Sequence, residues 1–388
     1  MSEPEPASAP PGPGGPGSLV PAARATALRR RLLAWWGAGH RALPWRFPPG
    51  AADPYRVWLS EVMLQQTRVE AVLPYYRRFL AKWPTLRALA AAPDGEVLAA
   101  WSGLGYYARC RNLLRAARAA LREHGGLPAS LEALRALPGT GPYTAGAVAS
   151  IAFGIPAAAV DGNAARVLAR LFRLAGDPAR GPFRRRAWAL ARQLAGEGTA
   201  GRPSPGAPGE WTQALMELGA TVCRRTPECR RCPLATLCEA RRGGVERRLP
   251  RPGRRPARRP MVLACALIRR RGELLLARQP EGALFAGLLG LPSAEVHPGE
   301  EPAAALRRAL RARGLAVRTA RALGSARRTL THRDLELHAL SCTLLRAPPR
   351  PGGEGAGLSW VAMDRAEEAG LPSAMRALLR AVRASAPA

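Results

Sequence analysis

Two carboxylates and four thiols lie in settings that suit chemistry. Glu61 is the one acid in Y-R-V-W-L-S-E-V-M-L-Q-Q-T (residues 55–67), and on a helix its neighbours three and four positions away are Val57, Trp58, Leu64 and Gln65. An acid so placed is poorly solvated, so its pKa should rise until it can hold a proton near neutral pH. The alternative puts Glu61 on a solvent face opposite an apolar stripe. Asp161 sits between Val160 and Gly162 at the start of another helix, either as a second, half-buried acid or simply as a helix cap. Cys223, Cys229, Cys232 and Cys238, with gaps of five, two and five residues, make a closed set of metal ligands. Spacing alone admits zinc or an iron–sulfur cluster.

The elements that must position these groups have readable boundaries. Asp53-Pro54 supplies an N-cap and a first-turn proline for the helix carrying Glu61. L-P-G-T-G (137–141) leads into Pro142 and an apolar helix from Tyr143 to Phe153, which Gly154 can stop. Gly139 and Gly141 should let the chain turn tightly there, leaving N–H groups free at a helix start, a site suited to a backbone phosphate. A phosphate clamp followed by an acid suggests chemistry on a nucleic acid; an αα-hairpin with a capping Asp is the plain alternative. W-S-G-L-G-Y-Y-A-R-C-R-N-L (101–113) opens a long Arg/Ala helix ending at Gly125-Gly126. Its glycines and paired tyrosines suit a loop that wedges a ring into stacked bases, or else the tyrosines are core. Further helices are expected over Thr26–Trp36, around Leu86 and Val97, and over Ala164–Leu174 and Glu210–Val222.

The 388 residues allow two or three domains, and the formal charge of +31 points to a polyanionic partner. Nearly all the basic residues are arginines; Lys82 is the only lysine. Seven cysteines, four of them clustered, suit a reducing compartment, and no apolar run is long enough for a membrane helix. Residues 1–24 read as a disordered tail without the features of a signal peptide, 196–209 as a flexible insertion, and 241–260 as an Arg/Pro-rich linker. From Met261 short strands alternate with helices: V-L-A-C-A-L-I, a turn at Arg270–Gly272, E-L-L-L-A-R, a helix from Pro302 to Arg313, a strand from Asp334 to Leu345, and a helix from near Ser373. That mixture argues an α+β module over 261–385.

The V-M-L-Q-Q-T string, the L-P-G-T-G-P-Y hairpin, Asp161 and the cysteine set together resemble the helix-hairpin-helix DNA glycosylases, and most closely the adenine DNA glycosylases of MutY type. The likeness is strong over Leu28–Ala240 and weaker over Met261–Arg383. It implies a mainly α catalytic region over 25–240, with two helical subdomains and an iron–sulfur loop, followed by a Nudix-like α+β domain. It also implies a monofunctional enzyme that removes adenine opposite 8-oxoguanine or guanine. Glu61 would protonate the base (at N7), Asp161 would stabilise the cationic sugar, and Tyr143 and Asn163 would position the sugar and a water. The resemblance places Gln65, Gln66, Tyr106, Gly139, Gly141 and Gly287 at the DNA, Gln213 and Glu217 in an adenine pocket, and Thr331 and His332 at the 8-oxoguanine. It assigns a [4Fe–4S] cluster to the four cysteines, with zinc as the alternative. The implied partners are mispaired duplex DNA and downstream base excision repair enzymes. The protein is expected as an intracellular, DNA-associated monomer, in the nucleoid if bacterial and the nucleus if eukaryotic.

Five features set the chain apart from one group of relatives or another. The first cysteine gap has five residues rather than the usual six, and the connector lacks the extra cysteines of longer members. A Phe-Ser-His turn of the family is Leu330-Thr331-His332 in this chain. Arg308, Arg311 and Ala312 stand where a hydrolytic Nudix helix would carry metal-binding glutamates, so the module is expected to sense rather than hydrolyse. Lyase relatives place a lysine one residue after the position of Pro142, where this chain has Tyr143. Two rivals remain at this point: an endonuclease III-like glycosylase–lyase for oxidised pyrimidines, and a DNA-binding protein without catalysis.

Overall fold

The computed structural model describes residues 19–48, 50–197, 207–251, 253, 257–280, 282–330, 332–346, 357–366 and 371–384. Most of the expected tail, the middle of the 196–209 insertion and Thr331 lie outside these residues. The helices are α1 (Ala22–Ala38), α2 (Pro54–Leu64), α3 (Val69–Lys82), α4 (Leu86–Ala91), α5 (Asp94–Trp101), α6 (Tyr107–His124), α7 (Leu131–Ala136), α8 (Pro142–Phe153), α9 (Gly162–Leu171), α10 (Gly181–Ala195), α11 (Ala207–Thr221), α12 (Glu239–Arg242), α13 (Pro302–Ala312) and α14 (Ser373–Ala384). The strands are β1 (Arg259–Arg270), β2 (Glu273–Arg278), β3 (Leu289–Gly290), β4 (Ser293–Val296), β5 (Val317–Thr329), β6 (Arg333–Leu344) and β7 (Leu358–Ala362). Among the described residues, no helix is long and apolar enough to cross a membrane. Two compact units divide the chain: 1–66, 85–87 and 115–254 in the first, 67–84, 88–114 and 255–388 in the second.

The first unit is helical. Leu28, Leu32 and Trp36 of α1 pack with Val167, Leu168 and Leu171 of α9, Leu190 and Leu194 of α10, and Trp211, Leu215 and Leu218 of α11. α2 starts as its sequence demands: Asp53 accepts a hydrogen bond from the Arg56 amide at 3.1 Å, and Pro54 takes the first position. From Val57 to Met63 every residue of α2 is buried, so this stretch of the helix, past exposed Arg56, has no solvent face. It packs against α8, which begins after Gly141 and ends at Gly154 in the left-handed conformation (φ 64°). α11 reaches the start of α9 because residue 219 is glycine; a Cβ there would lie 2.8 Å from the Cβ of Asn163.

The second unit joins α3 and α5 to a sheet ordered β3-β2-β1-β6-β5, with β4 also on β1 and β7 on β2. β1 and β6 are parallel, and every other pairing is antiparallel. Leu263, Cys265 and Leu267 of β1 point into a core with Met375 and Leu378 of α14, while Ala264, Ala266 and Ile268 share a second core with Leu306 and Leu310 of α13. A strand buried on both faces reads as one apolar run, which is how V-L-A-C-A-L-I was visible in sequence. Arg271 (φ 48°) and Gly272 (φ 80°) make the β1–β2 turn.

Several elements differ from expectation. α9 stops at Leu171 rather than Leu174, where Phe172 caps it. α3, α7, α10, β3, β4, β5 and β7 go beyond the expected elements, although Ser130 caps the start of α7 and Gly196, in the left-handed conformation, ends α10. β5 (V-R-T-A-R-A-L-G-S-A-R-R-T) is rich in arginine and weakly patterned, yet it pairs with β6 from Val317 to Thr329. Its state comes from its partner strand.

Candidate active site and cysteine centre

Glu61 is 5% exposed, and the Tyr143 hydroxyl from the first turn of α8 donates to its Oε2 at 2.8 Å. Burial pushes its pKa up to about 7; the Tyr143 hydrogen bond and the Arg46 charge oppose the rise, and the Asp161 charge adds to it. The solvent-face alternative for Glu61 therefore fails. Tyr143 is itself pushed well above its ordinary pKa, first by burial and then by Glu61 and Asp161, so it stays a phenol. It also contacts Met216 Sδ at 3.8 Å.

Asp161 caps α9, accepting from the Ala164 amide at 2.6 Å. Burial raises its pKa; the Ala164 and Asn163 amides, Arg166 and the Asn163 side chain draw it back. The capping reading of Asp161 holds, and it is compatible with a chemical one, since its charge reaches both Glu61 and Tyr143. Asn163 Oδ1 accepts from Arg166 Nη2 at 2.8 Å, and Arg166 also binds the carbonyls of Gly219 and Cys223, both at 2.9 Å.

Around this pair, Gln65 donates to Thr144 Oγ1 at 3.0 Å, and exposed Gln66 has a positive φ of 56°. Gly139 (φ 72°) needs to be glycine. Gly141 does not: its φ is −74°, extended backbone that any residue adopts, with open space where a Cβ would stand. On α11, Gln213 reaches only the Gly209 carbonyl at 3.4 Å among the bonds described. Glu217 is 2% exposed and clamped: Arg41 Nε and Nη2 donate to its two oxygens at 2.8 Å, and Arg46 Nη2 donates to Oε2 at 2.7 Å. Burial alone would raise its pKa, but these arginines hold it down at about 2. Arg41, Arg46 and Arg166 are the site residues that sequence reading missed. The one signal for Arg41 and Arg46 was the loop H-R-A-L-P-W-R (40–46), in which they flank A-L-P-W; Arg166 had none.

In the second unit, Tyr106 is 43% exposed with a φ of 50°. The core alternative fails for it. Gly287 (φ 78°) offers its carbonyl to Arg278 at 2.8 Å. Leu330 and His332 flank the β5–β6 turn, closed by a 2.8 Å bond from the Leu330 amide to the Arg333 carbonyl. Leu330 packs against the core, and the His332 ring is exposed. Thr331 lies outside the described residues. On α13, Arg308 forms an exposed ion pair with Glu300 at 2.8 Å, and Arg311 and Ala312 are exposed.

Cys223, Cys229, Cys232 and Cys238 line one cavity, together with Arg170, Glu228, Arg241 and Glu246. Among the described residues, no three His, Cys, Asp or Glu side chains are gathered closely enough for a single ion. Burial pushes the Cys232 thiol up to about 12 and raises Cys229 and Cys238, so these thiols hold their protons until a metal displaces them. Glu246 Oε2 is buried in the cavity wall with no hydrogen-bond partner among the described residues. Four sulfur donors facing one cavity are the ligand chemistry of a thiolate-bound metal group. Arg170, 3% exposed, binds the carbonyls of Cys223, Arg224, Arg225 and Leu249 and donates to Cys223 Sγ at 3.3 Å, which fixes the first cysteine of the set.

The sequence also matches known proteins. Residues 59–193 match a sequence model of the HhH-GPD superfamily of base excision DNA repair proteins, and residues 264–381 match a NUDIX domain. The adenine DNA glycosylase of Homo sapiens is 38% identical over 334 residues, covering 72% of this chain and 59% of that protein. That of Rattus norvegicus is 45% identical over 260 residues, covering 65% of this chain and 48% of the relative. The chain thus spans about half the length of these two relatives. The Mus musculus protein is 35% identical over 410 residues, covering 92% of this chain and 78% of its own length. With a helical repair-glycosylase unit, a Nudix-like sheet module and a relative 35% identical that is matched over 78% of its length, the chain belongs to the adenine DNA glycosylase family.

Proposed function

We propose that the protein removes adenine mispaired with 8-oxoguanine or guanine in duplex DNA and leaves the strand intact. The observation that carries this reading is Glu61, buried beneath Tyr143 with its pKa raised to about 7. The glycosidic bond is out of reach within a stacked duplex, so the adenine must be extruded first. Protonated Glu61 then donates to a ring nitrogen and turns the base into a neutral leaving group. Bond cleavage leaves cationic character on the sugar, which the Asp161 carboxylate stabilises. Tyr143 holds the Glu61 carboxyl in place, and Asn163, held by Arg166, positions the attacking water. Gln65, Gln66, Gly139, Gly141, Tyr106 and Gly287 take roles at the DNA. Gln213 and Glu217 line the adenine pocket, Glu217 by fixing Arg41 and Arg46 rather than by offering a free carboxylate.

Strand cleavage through a Schiff base needs an amine at the sugar. Tyr143 supplies a phenol instead, and Lys82 pairs with Glu96 at 2.7 Å. The sheet module reads 8-oxoguanine through Thr331 and His332 and does not hydrolyse nucleotides, since Arg308, Arg311 and Ala312 offer no carboxylate to Mg²⁺. The four cysteines would hold a [4Fe–4S] cluster, which orders the segment bearing Arg224, Arg225, Arg230 and Arg231 for phosphate contact. A single zinc held by the same four sulfurs is the alternative.

The test is a duplex with adenine opposite 8-oxoguanine, scored before and after hot alkali. Adenine release with breakage only after alkali is expected. Cleavage of oxidised pyrimidines, or efficient borohydride trapping, would favour the glycosylase–lyase, and binding without product a non-catalytic protein. Anaerobically purified protein should carry about four irons; one zinc and no colour would remove the cluster.

A further inference from the structure

The loop that presents Tyr106 is fastened at both ends to the sheet module of its own unit. Before it, Ser102 Oγ donates to the carbonyl of Leu371, just ahead of α14, at 3.0 Å. The Tyr75 hydroxyl takes the Ser102 carbonyl at 2.9 Å. Gly103 (φ 102°) has no room for a side chain, because a Cβ would overlap that hydroxyl and come within 3.2 Å of Arg376 Nη2 on α14. After the loop, Arg111 in the first turns of α6 donates to the Ala286 carbonyl at 2.6 Å, beside Gly287.

Between the two tethers, Arg109 locks the loop internally. It is 8% exposed; its Nη2 donates to Thr67 Oγ1 at 3.0 Å and to the carbonyls of Leu104 and Gly105 at 3.3 and 3.2 Å. Its guanidinium also lies 5.2 Å from the Tyr106 ring centroid and 5.4 Å from that of Trp101. A φ of 50° at a tyrosine costs energy and persists only where the surroundings impose it.

The far ends of the tethers matter as much. α14, entered from Leu371, packs along β5 and β6, the strands whose connecting turn carries Leu330 and His332. Ala286 and Gly287 lie in the loop between β2 and β3 of the same sheet. A displacement at the β5–β6 turn or at Gly287 therefore meets the Tyr106 loop through one packed helix and two hydrogen bonds.

We propose that Ser102 and Arg111 are specificity-determining positioning residues. They transmit the seating of the sheet module on the base opposite adenine to the Tyr106 loop, so that the ring is set for insertion when that base is 8-oxoguanine. This rests on the adenine glycosylase reading and deepens it. Neither residue touches the reacting atoms.

The test uses the full-length protein with Arg111→Met and Ser102→Ala, each alone and combined with His332→Ala. Single-turnover excision is measured on adenine opposite 8-oxoguanine and opposite guanine. Arg111→Met should lower the preference for 8-oxoguanine about tenfold, as expected for a lost hydrogen bond from a charged group. Ser102→Ala, which deletes one hydroxyl and keeps the fold, should lower it a few-fold. Excision opposite guanine should stay within about twofold of wild type, and His332→Ala should cost little more in either variant background, because coupled residues are non-additive. The salt dependence of binding should keep its slope, since a phosphate contact would reduce it by about one on a log–log scale. Unchanged preference in both variants, additive losses with His332→Ala, or a reduced salt slope for Arg111→Met would each overturn the tether. Wild-type protein inactive on both duplexes would instead overturn the adenine reading.

Discussion

Glu61 and Glu217 are buried to nearly the same degree in one helical unit, 5% and 2% exposed, and they carry opposite charge states. Glu61 receives one hydrogen bond from a neutral phenol, and burial sends its pKa to about 7. Glu217 receives three from two guanidiniums, besides a longer 3.4 Å bond from the Arg41 backbone amide, and is held at about 2. Exclusion of water does not set protonation. The charge of the donors does, and the two glutamates divide the labour: one stores a proton, the other stores an arginine pair.

The contrast can be broken from either side. The largest expected effect is Glu217→Ala, which leaves Arg41 and Arg46 without their shared partner. Loss of a buried ion-pair partner costs about 3–5 kcal/mol, and chemical denaturation at pH 7 should show it. The loss should shrink in acid, because the folded pKa lies below the unfolded one. The stabilisation is present above about pH 4.5 and disappears as pH falls through about 2. A wild-type-like midpoint at pH 7 would mean the clamp is decorative.

Next comes Glu61→Gln, which keeps the shape and removes the stored proton. Adenine excision should fall by at least about a hundredfold, the scale of general acid catalysis, with affinity for the mispaired duplex retained. Turnover near wild type would take Glu61 out of the mechanism. The same substitution should stabilise the fold. A carboxyl whose folded pKa is raised binds its proton more tightly when folded, so folding loses free energy as pH rises from about 4.5 to about 7 and stays penalised above. Glu61→Gln should therefore gain on the order of 3 kcal/mol at pH 8 and almost nothing at pH 4. An equal gain at both values would place the benefit in packing rather than in charge.

The smallest effect belongs to Tyr143→Phe, which deletes the hydrogen bond that lowers the Glu61 pKa. The alkaline limb of the excision profile should move up by less than about one pH unit, a shift worth roughly 1 kcal/mol. A downward shift would show that the phenol favours the protonated acid.

What the sequence by itself determined is local. Asp53-Pro54 starts α2 and Gly154 ends α8 because capping and φ preferences act within one helical turn. The cysteine spacing marked four thiols as one set, and they do line one cavity; the apolar neighbours of Glu61 announced a poorly solvated acid. The two-sided burial of β1 was legible as an unbroken apolar run. Tertiary structure decided the rest. Nothing in H-R-A-L-P-W-R names Glu217 as the partner of Arg41 and Arg46, which lie 176 and 171 residues away. Arginine is so abundant in this chain that composition could not single out the two that clamp Glu217. The same holds for the Tyr143 bond to Glu61 across 82 residues, and for β5, whose state follows from β6. Propensity and capping are properties of neighbouring residues, whereas a buried charge is fixed by whichever distant groups the packed chain brings to it.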